Sequence, residues 1–299
     1  MKTINTTQNE QTQLERLAAQ RQLYSEAKKI HVVNLILAVP VSVAIFTIAT
    51  FVPEFQTYAA YWGIAMTFAE FLLFNRFEDE FRLRAANIQE DFDCRVLQLE
   101  WNPVACGSSR PSQEDILRYS GKYKTKEPDF ASLKDWYPTR VDLLPIPLGR
   151  IICQRTNITW EGKNRRRYAL AIVALLTFVT VLALAVWFGQ RLGPQDFLVG
   201  VIAPLLPVYA WGIRNHRLNR EAAGNMDRLR SLIDELWQAD FLKKQSAGKL
   251  TEIARNLQDE IYDHRRSTPS VFDRLYKKFQ RGDNDDMNEI ANRMIDELR

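Results

Sequence analysis

The sequence predicts an all-α integral membrane protein with four transmembrane helices in two hairpins and a helical cytoplasmic domain. Its apolar residues are segregated into four runs, at 32–52, 55–75, 168–189 and 197–213. A helix rises about 1.5 Å per residue, so about 20 residues cross a hydrocarbon core of about 30 Å. None of the runs alternates apolar and polar residues as a membrane-spanning strand does. Only Glu70 is charged within them, which makes the second span unusual.

The distribution of positive charge predicts which side of the membrane each segment faces. Lys and Arg are concentrated before the first run, after the second, before the third and after the fourth. In the turns between paired runs, 53–54 and 190–196, Arg191 is the only Lys or Arg. Positive flanks stay in the cytoplasm, so both termini and the middle region are expected there. Contact of these flanks with anionic lipid accounts for the basic net charge, and no nucleic-acid polymer is needed as a partner.

The apolar runs therefore divide the chain into five predicted segments. Hairpins of membrane helices alternate with cytoplasmic regions, and the last region is helical. The segments are a cytoplasmic N-terminal helix at 1–31, a first hairpin at 32–75, a cytoplasmic region of helices and loops at 76–167, a second hairpin at 168–213 and a cytoplasmic C-terminal region at 214–299.

Periodicity and capping residues predict the elements up to the third span. Leu14, Leu17 and Tyr24 share one face of the N-terminal helix. The helix after the second span should continue to about 102–103, because the residue before a proline disfavours helix. Ser112 is expected to cap a short helix. The segment 121–147 is rich in proline and aromatic residues, which predicts ordered loops.

Five more helices are expected on the cytoplasmic side. One leads from Leu148 into the third span, and a long one runs from about 214 to 244. A third covers "KLTEIARNLQDEIYDHRR" and is stopped by "STP". Two short helices should form around "VFDRLYKKF" and "MNEIANRMIDEL". The fourth span should be irregular near Pro204 and Pro207, since each proline removes a backbone hydrogen bond.

The sequence contains no pattern typical of catalysis, metal binding or a bound cofactor. His31, His216 and His264 lack the spacing of metal ligands, and no glycine-rich phosphate loop or nucleophile motif occurs. The three cysteines show no paired spacing and are expected to be reduced thiols in a cytosolic compartment. The sequence therefore predicts a protein that is not an enzyme.

Two stretches combine arginines with aromatic residues and are candidates for binding an anionic ligand. Aromatic faces stack on bases, and arginine pairs with phosphate through two hydrogen bonds. The same residues suit a structural role equally well, as core aromatics, structural ion pairs and cations at a helix C-terminus. The candidates are Trp136, Tyr137, Arg140, Gln154, Arg155, Asn157 and Trp160 in the first stretch and Tyr262, His264, Arg265 and Arg266 in the second.

A polar seam is predicted in the first hairpin. Gly63, Thr67 and Glu70 share a face of the second helix. In an antiparallel hairpin, Asn34 should face Glu70 near the cytoplasmic boundary and pair with it directly or through water. Glu70 snorkelling to the cytosol or meeting a basic flank is the alternative. In an activated oligomer the seam, with Pro204 and Pro207, would line a pore.

Three further stretches stand out: "LAAQRQLYSEAKK", "DWYPTRVDLLP" followed by "IICQRTN", and "LQDEIYDHRR" followed by "STP". In these stretches the chain resembles a known family, the SMODS-associated four-transmembrane effectors of bacterial anti-phage defence. Trp160 also fits the family's tryptophan after "CQRxN". With the two hairpins, the likeness covers nearly the whole chain.

The resemblance implies an effector of CBASS systems, located in the bacterial inner membrane. Such an effector is expected to sense a cyclic oligonucleotide and then disrupt the lipid bilayer. One four-helix subunit leaves no room for a wide pore, so a homo-oligomer is expected. The alternatives are a non-conducting anchor or scaffold for a cytosolic partner and, from another class, a membrane enzyme acting on lipid.

Overall fold

The computed structural model describes residues 2–238, 241–268 and 289–298, with the side chains of 158–164, 236–238 and 241 left out of the description. Every regular element in this part of the chain is helical, so the predicted all-α class is confirmed. The helices are α1 Ile4–Gln8, α2 Gln11–Ile36, α3 Ser42–Phe51, α4 Gln56–Ala69, α5 Asn75–Val96, α6 Pro103–Cys106, α7 Gln113–Lys124, α8 Ile146–Gln190, α9 Pro194–Phe197, α10 Ala203–Gln238, α11 Phe241–Lys244, α12 Ala247–Ser267 and α13 at 289–298.

The chain forms two compact units. Unit 1 contains Met1–Glu26, Phe81–Asn164 and Ala222–Arg299, and unit 2 contains Ala27–Glu80 and Arg165–Glu221. Each boundary between them falls inside a helix, namely α2, α5, α8 or α10. The chain thus passes between the units without a loop. The five-segment division by membrane side stays a prediction.

Unit 1 has a conventional apolar core around the second half of α5. Phe92 of α5 is fully buried, together with Leu17 of α2, Ile152 of α8 and Ile261 of α12. α13 joins this core through Ile295. A second cluster packs α2, α5 and α7 together around Leu23, Ile88 and Tyr119. The core therefore draws on helices that are far apart in sequence.

Capping residues define the helix ends in unit 1 much as the sequence predicts. The side chain of Ser112 accepts a hydrogen bond from the Asp115 N–H and caps α7 as expected. α5 ends at Val96, earlier than predicted, because Gln98 adopts a left-handed φ of 54° that terminates the helix. The helix covering "KLTEIARNLQDEIYDHRR" is confirmed as α12. The helix predicted around "MNEIANRMIDEL" is confirmed as α13 over its described residues, 289–298. "VFDRLYKKF" lies outside the described residues.

Unit 2 carries large apolar side chains on its surface. Phe51, Leu170 and Phe188 are 76%, 68% and 71% exposed. Apolar surface on this scale is expected where lipid is the surrounding solvent. The chain is thus an integral membrane protein.

Three helical runs of the described residues are long and apolar enough to cross a membrane: Gln11–Phe51, Arg165–Gln190 and Pro194–Glu235. They contain the predicted first, third and fourth spans. The second predicted span, 55–75, is helical too, but it carries the polar residues Gln56, Glu70 and Asn75 and is not among the three.

Three segments within the predicted spans are π-helical. They are Leu37–Val41, Glu70–Phe74 and Leu198–Ile202. In the third, the Ala203 N–H donates to the Leu198 carbonyl, one residue beyond the α-helical partner. The predicted irregularity of the fourth span is therefore confirmed just before Pro204. The first two π segments were not predicted, although Pro40 within the first gives a sequence reason for it.

Candidate functional site

Three buried carboxylates at the end of α5 organise the polar interior of unit 1. Glu90, Asp91 and Asp93 are each at most 1% exposed. A buried carboxylate is tolerated when it is paired and hydrogen-bonded. All three have such partners, and the partners come from other parts of the chain.

Asp93 brings the two predicted ligand-binding stretches together. Its Oδ1 accepts a 2.6 Å hydrogen bond from the Tyr137 hydroxyl, and its Oδ2 accepts one of 2.5 Å from Arg265 Nη1. Gln258 Nε2 donates to the same Oδ2 at 2.9 Å. Burial, with the nearby Asp93 charge, holds the pKa of Tyr137 well above its usual value, so the hydroxyl stays a donor. Asp93 thereby links Tyr137 of the first stretch to Arg265 of the second.

Glu90 lies one turn before Asp93 and shares Gln258 with it. Gln258 Nε2 donates to Glu90 Oε2 at 2.7 Å, and Arg255 Nη2 donates to Glu90 Oε1 at 2.7 Å. Burial and the Asp93 charge raise the pKa of Glu90, against the effect of Arg255. Gln154 Nε2 bonds to the Ala254 carbonyl and to Gln258 Oε1. The network therefore ties α5, α8 and α12 together.

Asp91 faces another set of arginines. It accepts hydrogen bonds from Arg16 Nε at 2.6 Å, Arg95 Nε at 2.9 Å and Arg110 Nη1 at 2.5 Å. Burial acts to raise the pKa of Asp91, but these three hydrogen bonds outweigh it and hold the pKa below the usual value. Asp91 is thus a fixed anion that fastens α2 to α5.

Both arginines of the first predicted stretch are paired with carboxylates. Arg140 Nη2 lies 2.6 Å from Asp296 on α13, and both side chains are about half exposed. Arg155 donates to Asp234 Oδ1 through Nε at 2.9 Å and Nη2 at 2.7 Å. Each guanidinium holds the kind of acceptor, a carboxylate, that a phosphate can replace.

The polar and aromatic residues of that stretch have structural contacts. Tyr137 is buried against Phe92, and Trp136 packs partly buried against the same core. Gln154 is buried in the Glu90 network. Asn157 Nδ2 lies 3.4 Å from the Tyr137 hydroxyl. The side chain of Trp160 lies outside the described residues.

The second stretch sits at the end of α12. Tyr262 is buried and donates to Asn87 Oδ1 at 2.5 Å, which leaves its face available to Arg266, 5.7 Å from the ring centre. Arg266 pairs with Asp263 at the surface. His264 Nδ1 lies 3.3 Å from Thr268 Oγ1. Arg265 alone among these reaches the buried Asp93.

The structure adds functional candidates that the sequence argument missed. Glu90, Asp93, Arg255 and Gln258 form the centre of the network, yet none of them is among the candidates predicted from the sequence. The available signal was the segment "EDFDC", which mixes acidic residues with residues of the core periodicity. Their arginine partners lie far away in sequence, so no spacing rule identifies them.

The described residues contain no group of three His, Cys, Asp or Glu side chains placed to hold a metal ion. Cys94, Cys106 and Cys153 are buried free thiols. Burial and the Glu90 charge raise the pKa of Cys106 to about 12, which keeps the thiol protonated at neutral pH.

The predicted membrane seam is partly realised in unit 2. Glu70 and Asn34 are both buried, at 0% and 2% exposure. Within the described part of the chain, neither oxygen of Glu70 has a hydrogen-bond partner, so direct pairing with Asn34 is wrong. Thr67 Oγ1 bonds to the Gly63 carbonyl of its own helix. A Cβ on Gly63 would lie 1.8 Å from the Ala203 carbonyl oxygen, next to Pro204.

Comparison with known families identifies the chain. A family model described as the SMODS-associating 4TM effector domain matches residues 2–294. The chain belongs to this family. The resemblance inferred from sequence is therefore confirmed. Family membership covers both units and names an effector domain with four transmembrane segments, one more than the three apolar runs found by length and composition.

One curated relative of this family member extends over nearly the same length. It is named "Probable CBASS effector molecule" and comes from Bacillus cereus (strain VD146). The two chains are 23% identical over 302 residues, which cover 96% of each. No solved structure matches this SMODS-associating effector.

Proposed function

We propose that this chain is a CBASS anti-phage effector that binds a cyclic oligonucleotide through unit 1 and then permeabilises the bacterial inner membrane as a homo-oligomer. The proposal is supported by the family description and by the name of the Bacillus cereus relative. One observation carries the sensing half: both basic-aromatic stretches reach Asp93, through Tyr137 and Arg265. Residues that bind one ligand need a shared framework, and Asp93 provides it.

The proposed binding step exchanges carboxylates for phosphates. Arg140 and Arg155 are held by Asp296 and Asp234. A cyclic oligonucleotide offers several phosphates, and each accepts the same paired N–H donors that a carboxylate accepts. Asp296 belongs to α13, so its displacement would loosen that helix from Arg140. Binding would thereby change the packing of unit 1.

The proposed response of the membrane follows from the continuity of the helices. α2, α5, α8 and α10 each contribute residues to both units. Movement of these helices in unit 1 would extend into the spans without a flexible linker. We propose that the seam of Asn34, Gly63, Thr67 and Glu70, with Pro204 and Pro207, then lines the oligomeric pore. The proposed topology has both termini in the cytoplasm.

Dye release from liposomes tests the proposal. Purified protein is reconstituted into dye-loaded vesicles and treated with a panel of cyclic di- and trinucleotides. At least one nucleotide is expected to trigger release, while linear nucleotides do not. Binding without release supports the anchor or scaffold, and a changed lipid composition supports a lipid-acting enzyme; either result contradicts the proposal.

Alanine variants locate the binding surface. Arg140→Ala and Arg155→Ala should each weaken binding of the active nucleotide about ten- to hundredfold, since a charge-assisted hydrogen bond contributes about 1.5–3 kcal/mol. Arg217→Ala is the matched control, because Arg217 is an exposed arginine of unit 2 paired with Glu221. Unchanged affinity in both test variants would exclude this surface and point to Arg265 and Arg266.

A further inference from the structure

Glu70 is a buried carboxylate for which the described residues provide no hydrogen-bond donor. It is 0% exposed, and both carboxylate oxygens lack a partner. A charged group inside a membrane-spanning bundle costs several kcal/mol unless it is paired or solvated. Arg214, whose charge acts on Glu70, is already bonded to Asn75 and lies 4.0 Å from Asp79. The described side chains therefore leave Glu70 without a hydrogen-bonded partner that would offset its burial.

Contacts between α4 and α10 fix the level of Glu70 among the helices of unit 2. The backbones meet at Gly63 of α4 and Ala203 of α10. Further along the chain, Asn75 at the start of α5 bonds to Arg214 of α10. Glu70 and Trp211 each lie about two turns beyond the first contact, which places them at about the same level. The Trp211 Nε1 donor is buried and has no partner among the described residues.

Asn34 supplies another unsatisfied oxygen nearby in the bundle. The first two spans are joined by Ser42 and Trp62 at 3.0 Å and by His31 and Glu78 at 3.1 Å. Asn34 and Glu70 lie between these contacts in the hairpin. The Oδ1 of Asn34 is buried and receives no hydrogen bond from a described residue. The two oxygens of Glu70, the Oδ1 of Asn34 and the Nε1 of Trp211 are thus buried groups at similar levels of the bundle.

We propose that Glu70 binds a hydrated monovalent cation, sodium or potassium, with the Asn34 oxygen holding its water shell. Hard cations prefer oxygen ligands, and divalent sites collect several carboxylates. Here a single carboxylate is combined with a neutral amide oxygen, which suits one positive charge. Trp211 Nε1 donates to the same water or to the carboxylate. The site belongs to the resting protein and does not depend on nucleotide sensing.

Thermal unfolding of the full chain in detergent tests the site without nucleotide. Solutions of potassium, sodium or N-methylglucamine chloride are compared at a constant ionic strength of about 0.15 M. Glucamine is too large for a buried site. At tenfold excess over Kd, the small cation should raise the Tm of the wild type by about 2–5 °C. The rise should saturate with concentration and be accompanied by a change in tryptophan fluorescence from Trp211.

Matched variants decide the outcome. Glu70→Gln keeps the shape and removes the charge, so the cation-dependent rise should disappear, whereas it should persist in Glu54→Gln, which changes an exposed carboxylate of the same unit. Asn34→Ala should weaken the apparent affinity about tenfold. The proposal is overturned if the wild type has the same Tm in all three salts, even if that Tm changes with pH. An unchanged rise in Glu70→Gln also overturns it, and the wild-type comparison suffices if that variant does not fold.

Discussion

The helical run from Gln56 to Val96 contains buried carboxylates of two opposite kinds. At its end, in unit 1, Asp93 accepts hydrogen bonds from Tyr137, Gln258 and Arg265. In unit 2, Glu70 is just as buried, and the described residues give it no hydrogen bond. The burial of a carboxylate thus does not reveal its role, because the role depends on what surrounds it.

The difference indicates what each region is built to do. Asp93 and its neighbours join helices that are distant in sequence, and their partners are fixed side chains of the same chain. Their removal leaves buried cations without a counter-charge. Among the described residues Glu70 has no such hydrogen-bond partner, so we expect it to interact with groups that exchange. The first arrangement specifies a fold, and the second suits exchange.

The largest expected effect comes from Asp93→Asn, which keeps the shape and leaves Arg265 without its counter-charge. Loss of one partner from a buried ion pair costs about 3–5 kcal/mol, so the variant should unfold at a much lower Tm. Asp263→Asn is the control, since Asp263 pairs with Arg266 at the surface. Equal stability of the two variants would contradict the distinction between paired and unpaired carboxylates. In N-methylglucamine chloride, where no small cation is bound, Glu70→Gln should be at least as stable as the wild type.

A smaller effect is expected from Gly63→Ala, which tests how tightly the helices around Glu70 are packed. The added methyl group would lie 1.8 Å from the Ala203 carbonyl oxygen, so the backbones must move apart at a cost of about 1–3 kcal/mol. In the control Gly189→Ala, a Cβ meets nothing within 4 Å. Thermal unfolding of both variants makes the comparison. A fully stable Gly63→Ala would mean that the helices separate easily here.

The dependence of stability on pH sharpens the unit 1 side of the comparison. Burial and Asp93 raise the folded-state pKa of Glu90 above 4.5, its value in an unfolded chain. The folded state then holds the extra proton, so the free energy of unfolding falls as pH rises from 4.5 through the raised pKa. Glu90→Gln should remove this component while Arg255 keeps its bond to Asp259. A wild type and variant with parallel pH profiles of Tm would contradict the prediction.

The smallest effect is expected at the exposed pair of Arg140 and Asp296. Both side chains are about half exposed, and such pairs contribute about 0–1 kcal/mol. Arg140→Ala should therefore change the Tm very little, even though it is expected to weaken nucleotide binding. Arg293→Ala, which breaks another surface pair on α13, provides the reference. A large loss of stability in Arg140→Ala would show that the residue is structural.

Local chemistry made much of the fold predictable. Three features follow from residues within one or two turns of each other: the Ser112 cap, the end of α12 at Ser267 of "STP", and the irregular fourth span. The early end of α5 was not predictable from Pro103, because the left-handed conformation of Gln98 stops the helix first. No rule of sequence favours glutamine at such a position.

The candidate site was predictable only in part, for a physical reason. Arg265 and Tyr137 are recognisable as hydrogen-bonding and stacking groups from their types alone. Their common partner Asp93 depends on how α5, α8 and α12 pack, and that packing is set by apolar residues. Glu70 was identified because a charge in an apolar run is conspicuous. The absence of a direct hydrogen bond to Asn34 depends on side-chain direction, which depth along a helix does not determine.

The π segments change how related sequences should be aligned. Each one winds an extra residue into a helical turn without interrupting the membrane-spanning run. Deletion of a single residue within Leu198–Ile202 would restore an ordinary turn and leave both flanking faces in place. A one-residue gap inside a span of a distant relative is therefore a structural event to keep in the alignment. Such gaps at Leu37–Val41 or Glu70–Phe74 would record where evolution has inserted or removed this widened turn.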